Sequence, residues 1–289
     1  MKYKLKHQTI YTYTNAVHNY QSILCLQPLN SSKQRCENFK ILIEPQPSKI
    51  FSRTDYFGNV QYYFSIHESH KSLKVLVSSE IEVLNSGVQP INPISLEEAL
   101  IQYKTDNSLK INILQYQLPS EFIHWNKEII GFAKTCLIPE KSLFEGVLEL
   151  VKKIYTEFKF KSGSTNINTP LETVLKEKKG VCQDFSHLAI ACLRSMGVPA
   201  RYVSGYIETL PPKGKLKLEG SDASHAWISV YIPEMGWCEF DPTNNMIPQQ
   251  RHIITAYGRD FADVSPLKGI IFSSGNHKVK VEVDVIPVE

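Results

Sequence analysis

The residues best suited to carry a reaction are Cys182, His225 and Asp241, in the stretches "KKGVCQDFSHLAIACLRSMGVPARY" and "ASHAWISVYIPEMGWCEFDPTN". A thiolate attacks carbonyl carbon. It needs a histidine within hydrogen-bond reach as base and an acid behind the imidazole to hold its tautomer. Cys182 opens a run in which Phe185, Leu188, Ala189, Cys192, Leu193 and Met196 recur at helical spacing, and Gly197 supplies a C-terminal stop. Three residues before Phe185, Cys182 continues the apolar stripe in the first turn and points toward whatever the helix packs on. Unpaired N–H groups and about half a positive charge at a helix N-terminus favour an anion there. The competing reading is a buried structural cysteine, which is how Cys192 reads on the same stripe.

The base is not the nearest histidine. His187 lies five helical positions on, rotated about 140° from Cys182, and reads as structural. His225 belongs to a strand that turns at "PEMG" into a second strand. A hairpin turning near Pro233 to Glu234 sets His225 opposite Asp241. Both are odd-numbered, so a slip of two residues keeps them on one face. Glu239 shares that face and is an alternative acid, but Asp-Pro at the strand end gives Asp241 the more fixed reach. Cys238 has the opposite parity and points away. Trp227 lies on the His225 face and reads equally as a shield against water or as a core aromatic. A zinc site built from Cys182, His187 and His225 fails because their directions diverge and no ligand-pair spacing exists. No DxDxDG loop is present. No metal or other cofactor is expected.

These residues require a helix packed on an antiparallel sheet. The sequence predicts an α+β protein in two units, a β-rich N-terminal domain over 1–88 and a catalytic domain over 89–289 with a helical lead-in and a C-terminal strand. "YKLKHQTIYTY", "FKILIEP", "NVQYYFSIH" and "LKVLVSSEIEVL" are rich in β-branched and aromatic residues and are separated by the turn signals "PLNSS" and "DYFGN". "SGVQPINPIS" reads as a linker. Ser95 with Glu98 three residues later has the form of a capped helix start. Helices are expected over 120–134 and 142–158. Strands are expected over 200–207, 224–232 and 237–241 and at "KVKVEVDVI". The loops "KSGSTNINTP" and "ETLPPKGKLKLEGSD" flank the catalytic elements and are expected to shape a cleft.

The 289 residues are 42% hydrophobic and 21% charged, with a formal net charge of +3. The lysines are interspersed with acids, so no nucleic-acid partner is expected. The polar-apolar alternation of the first 17 residues is unlike a signal peptide, and no run approaches the roughly 18 apolar residues of a membrane span. No membrane association is expected, and a cytoplasmic location is. Six cysteines without a CxxC read as free thiols in a reducing compartment.

Together the blocks "GVCQDFSHLAIACLRSMGVPARYVSGY" and "ASHAWISVYIPEMGWCEFDPTN" resemble the transglutaminase-like superfamily, in the bacterial branch often described as cysteine proteases. The opening "YKLKHQTIYTYTNAV" with "DYFGN" resembles that branch's N-terminal β domain, and "AYGRDFADVSPLKGI" its C-terminal segment. The resemblance implies a papain/transglutaminase-like core with Cys182 as nucleophile at a helix N-terminus and His225 and Asp241 on strands. Gln183 and Asp184 also match, and Asp184 reads as a first-turn carboxylate serving the helix backbone. The implied activity is acyl transfer at the amides of a peptide or protein substrate. Hydrolysis is preferred. An amine-accepting transglutaminase and a non-catalytic peptide-binding module are the alternatives. The sequence does not indicate an oligomeric state.

Overall fold

The computed structural model describes residues 1–84, 94–209, 220, 222–272 and 275–288. Its N-terminal part is organised by one long strand, β1 (Lys2–Leu24). Lys2, Lys4 and Lys6 are exposed while Tyr3, Leu5 and His7 between them are buried, the period-two pattern of a strand with one wet face. β2 (Gln34–Glu44), β3 (Lys49–Thr54), β4 (Val60–Ile66) and β5 (His70–Val83) complete the order β2-β5-β1-β4-β3. The expected strands of this region are present. β3 is an addition that no sequence signal had marked.

A helical layer follows: α1 (Leu96–Thr105), α2 (Asn107–Ile113), a 3₁₀ turn at Leu114–Tyr116, α3 (Lys127–Lys134) and α4 (Leu143–Glu157). The α1 cap forms as its spacing predicts. Ser95 Oγ accepts the Glu98 N–H at 3.2 Å, and Glu98 Oε2 accepts the Ser95 N–H at 2.9 Å. The helix expected from residue 120 starts only at Lys127. Asn126 Oδ1 takes the Ile129 N–H and caps it there, while Ser120 and Ile123 bond each other in a tight bridge.

β6 (Lys159–Phe160) pairs in parallel with β7 (Lys179–Gly180), which enters α6 (Cys182–Ser195) after the short helix α5 (Leu171–Glu177). α6 ends as expected, with Gly197 at φ +80°. β8 (Ala200–Ile207), β9 (Ser224–Ile232), β10 (Gly236–Phe240) and β11 (His252–Gly258) form an antiparallel sheet in the order β10-β9-β8-β11. A one-turn helix, α7 (Phe261–Val264), leads to β12 (Leu267–Phe272) and β13 (His277–Val288).

The C-terminal strand, grouped by sequence with residues 89–289, instead lies in the N-terminal sheet. β13 runs antiparallel to β1 from Lys2↔Val288 to Tyr13↔His277, and β12 pairs the far end of β1. Position in the chain does not dictate a strand's partner. β1 had a free edge, and Val283 and Val285 are buried in the core of that sheet. The expected boundary at 88/89 falls outside the described residues, as does most of "ETLPPKGKLKLEGSD".

Three apolar clusters position the site. The largest packs α1, α3, α4 and α6 on one face of the four-stranded sheet through Tyr202, Ala226, Ile228 and Val230. The second fills the N-terminal sheet and takes in Tyr206 and Ile253. The third joins Leu29 to Val203, Trp227 and Ile254 on the opposite face of the four-stranded sheet. Gly205 lets this second face close. A Cβ there would lie 2.0 Å from the Ile253 carbonyl oxygen and 2.6 Å from the Trp227 ring.

Candidate active site

Cys182 is the first residue of α6, after Val181 in extended conformation. Asp184 secures this start. Its Oδ2 accepts the Val181 N–H at 2.7 Å and the Thr165 hydroxyl at 2.6 Å, drawing in the loop before α5. Burial raises the Asp184 pKa, and the two hydrogen bonds offset part of that rise. A Cβ at Gly180 would meet the same carboxylate at 2.8 Å, so the approach to Cys182 requires glycine there. Half-buried Cys182 packs at the edge of the large core cluster, and its N–H has no intrahelical acceptor because it lies in the first turn.

The hairpin forms with a register two residues beyond the expected one. Phe240 pairs Ile228 and Gly236 pairs Ile232. The loop is centred on Glu234, and both Glu234 and Gly236 take positive φ, at 67° and 75°. The odd-numbered face is preserved, and His225 Nε2 lies 2.7 Å from Asp241 Oδ2. Asp241 is fully buried just beyond β10. Its Oδ1 accepts the backbone N–H groups of Thr243 and Asn244 at 2.9 and 3.1 Å, the local bonding that an aspartate at a strand end favours. Its Oδ2 also accepts the Asn244 side-chain N–H at 2.7 Å.

Burial alone would push the Asp241 pKa up. Hydrogen bonds from His225, His252 and Asn244 outweigh it and hold the carboxyl well below the usual range. Burial would likewise depress His225, but Asp241 on one side and Cys182 on the other raise it to about 10. A hydrogen bond with the Cys182 side chain is among the causes of that rise. Because Nε2 carries the proton donated to Asp241, Nδ1 is the nitrogen left for the thiol.

The other candidates fall elsewhere. Glu239, the alternative acid, accepts the Trp227 indole N–H at 2.9 Å and pairs Lys33 at 2.6 Å. Trp227 is fully buried and stacks against His225 at 5.8 Å between ring centres. His187 is buried, its Nε2 accepts the Phe261 N–H at 3.2 Å, and burial lowers its pKa to about 4. Cys192 lies deep in the core, where burial raises its pKa. Cys238 is buried with the core cluster, as its parity requires.

Sequence reasoning missed His252, on β11, whose Nε2 lies 3.1 Å from Asp241 Oδ2. It also missed Asn244 and Tyr202. Tyr202 is buried against His187 at 5.0 Å between ring centres. Burial first, then the charges of Cys182, Asp184 and Asp260, keep its phenol protonated. The local turn that an aspartate at a strand end favours could have flagged Asn244, three residues after Asp241. No local signal connects 252 to 241.

Among the described residues the set with atoms close enough for a metal is His225, Asp241 and His252, within 4.8 Å of one another. Both imidazoles aim at one carboxylate oxygen instead of at a shared central point. The three form a hydrogen-bond network, not a coordination set. Beside Gln183 a cleft of about 460 Å³ opens, lined by Glu121, Phe122, His124, Ile167 and Glu172 among others. Ile167, Asn168, Thr169 and Pro170 of the loop "KSGSTNINTP" form one wall.

Two family models match the chain: the transglutaminase-like superfamily over residues 130–242, and the bacterial transglutaminase-like N-terminal region over residues 3–82. An uncharacterized protein of Mycobacterium tuberculosis is 38% identical over 305 aligned positions, spanning 100% of this chain and 93% of the relative. A protein-glutamine gamma-glutamyltransferase of Pseudomonas aeruginosa is 35% identical over 74 residues, which is 25% of this chain and 11% of that protein. A crystal structure from Cytophaga hutchinsonii, provisionally named a cysteine protease, superposes with a TM-score of 0.74 at 22% identity, covering 100% of this chain and 92% of that one. This likeness shows the α+β fold. With family models matched over residues 3–82 and 130–242 and a relative aligned over the whole of this chain, the chain belongs to the transglutaminase-like superfamily and carries the bacterial N-terminal region.

Proposed function

We propose that Cys182, His225 and Asp241 are a catalytic triad for acyl transfer at amide bonds, acting mainly as a peptide or amide hydrolase. The observation that carries this reading is the His225 imidazole, bonded to Asp241 at 2.7 Å and acted on from its other side by Cys182. With the His225 pKa raised, the thiol proton of Cys182 already lies on the imidazole, and the thiolate Sγ attacks the amide carbonyl carbon. The C–N bond breaks, His225 returns that proton to the leaving amine, and a thioester remains on Cys182. His225 then takes a proton from water, the oxygen attacks the thioester carbon, and the C–S bond breaks to release the acid and restore the thiolate. The Cys182 N–H at the helix start is suited to hold the oxyanion. Asp241 keeps the proton of the neutral imidazole on Nε2 and stabilises the imidazolium.

The cleft beside Gln183 is the proposed seat of the substrate. Its two exposed carboxylates, Glu121 and Glu172, favour a second reading in which an amine replaces water as acceptor. Mass spectrometry of a peptide library incubated with the protein, with and without a primary amine, separates the two. Cleaved or deamidated peptides are expected in both samples. Amine-adducted peptides as the main product would select the transferase. A library unchanged in both would leave a peptide-binding module.

A reducing compartment, the cytoplasm, suits this thiol chemistry. Among the described residues no disulfide joins the six cysteines, and no helix is long and apolar enough to cross a membrane.

A further inference from the structure

The triad acid is shared. Asp241 Oδ2 receives His225 Nε2 at 2.7 Å and His252 Nε2 at 3.1 Å. The two imidazoles come from strands that are not neighbours, because β8 lies between β9 and β11. Trp227 holds both. It stacks on His225 and meets His252 edge to face at 5.2 Å. His252 is buried, and its other nitrogen, Nδ1, has no hydrogen-bond partner among the described residues. Leaving a buried ring nitrogen unsatisfied is costly. The compensating bond is the one to Asp241.

The backbone of β11 is fixed from the N-terminal region. Gln34, buried at the start of β2 where it pairs Val83, donates from Nε2 to the carbonyls of Leu29 and Ile254 at 2.7 and 2.8 Å, and its Oε1 accepts the Ile254 N–H at 2.8 Å. This amide clamps the strand two residues from His252. Lys33 reaches Glu239, and Glu239 holds the indole of Trp227. The charged and titratable groups around His252 are thus Asp241 and His225 on one side and Glu239 and Lys33 on the other, the latter two lining a small cavity with it.

We propose that His252 is a positioning residue that acts through Asp241, its Nε2–H fixing the carboxylate for His225, and that Gln34 of the N-terminal region holds His252 in place. This rests on the triad reading above. An N–H donor at Oδ2 favours the ionised carboxylate, so its loss raises the pH at which Asp241 takes up a proton. If Asp241 instead became loose, the same pH would rise for the same reason, so the sign does not depend on how the site relaxes.

The test uses the full chain with His252→Phe, which keeps a ring but no donor, and His252→Gln, which restores an N–H. The acid limb of kcat/KM is followed with a peptide amide substrate. The Asp241 carboxyl is followed independently by carbon-13 NMR, with circular dichroism confirming the fold at each pH. In His252→Phe the acid limb and the Asp241 titration should both rise by about one pH unit, and kcat should fall roughly tenfold at unchanged KM. His252→Gln should restore most of both. An acid limb and carboxyl titration that do not move in His252→Phe would overturn the proposal, even if thermal stability drops. Because the NMR titration needs no turnover, failure of the triad reading itself appears separately, as turnover surviving in Cys182→Ala.

Discussion

Cys182→Ala is expected to lose all measurable amide turnover, a fall of at least about 10⁴-fold, and to lose labelling by a thiol-reactive amide-mimicking probe. The thermal midpoint should change little. Cys182 is half-buried at the first position of α6, where alanine is a good helix former, and the helix start is secured by Asp184 on Val181 and Thr165. The two measurements together separate chemistry from fold. Retained turnover would reject Cys182 as nucleophile. Lost turnover with a collapsed midpoint would reduce it to a packing residue.

His225→Gln should show the same asymmetry with a pH signature. Removing the base and acid of the reaction should lower kcat/KM by about 10³-fold or more, equivalent to about 4 kcal/mol of transition-state stabilisation. Folding stability should fall by only about 1.5–3 kcal/mol, the scale of one hydrogen bond to a charged group. The imidazole is held above its usual pKa, at about 10. A group raised in the folded state contributes stability that is complete below its unfolded pKa, about 6.5, and disappears as pH rises through the folded value. The stability gap between the native protein and His225→Gln should therefore be widest near and below pH about 6.5 and close as pH approaches about 10. Equal losses of rate and stability, flat with pH, would mark His225 as structural.

How far the sequence carries depends on whether a contact follows a local rule. Odd parity placed His225, Glu239 and Asp241 on one face, and it survived a register error caused by the left-handed backbone at Glu234 and Gly236. The capping pair Ser95 and Glu98 and the stop at Gly197 were legible for the same reason, being contacts three or four residues long. β11 was not legible because "HIITAYG" is buried on both faces and shows no alternation. The choice of Asp241 over Glu239 rested on reach at a strand end. The structure adds that Lys33, from 206 residues away, occupies Glu239. The same long range conceals His252, which crosses to the far edge of the sheet before returning to Asp241, and β13, whose partner is the first strand of the chain.

The central claim is a covalent acyl group on one sulfur, and the most direct measurement is the mass of the intact protein quenched in acid during turnover of a slow amide substrate, followed by peptide mapping. The account predicts one acyl group per chain, released by mild hydroxylamine, on the peptide that carries Cys182. Substrate turnover with no acylated protein, or an acyl group mapped to Cys36 or another thiol, would contradict it.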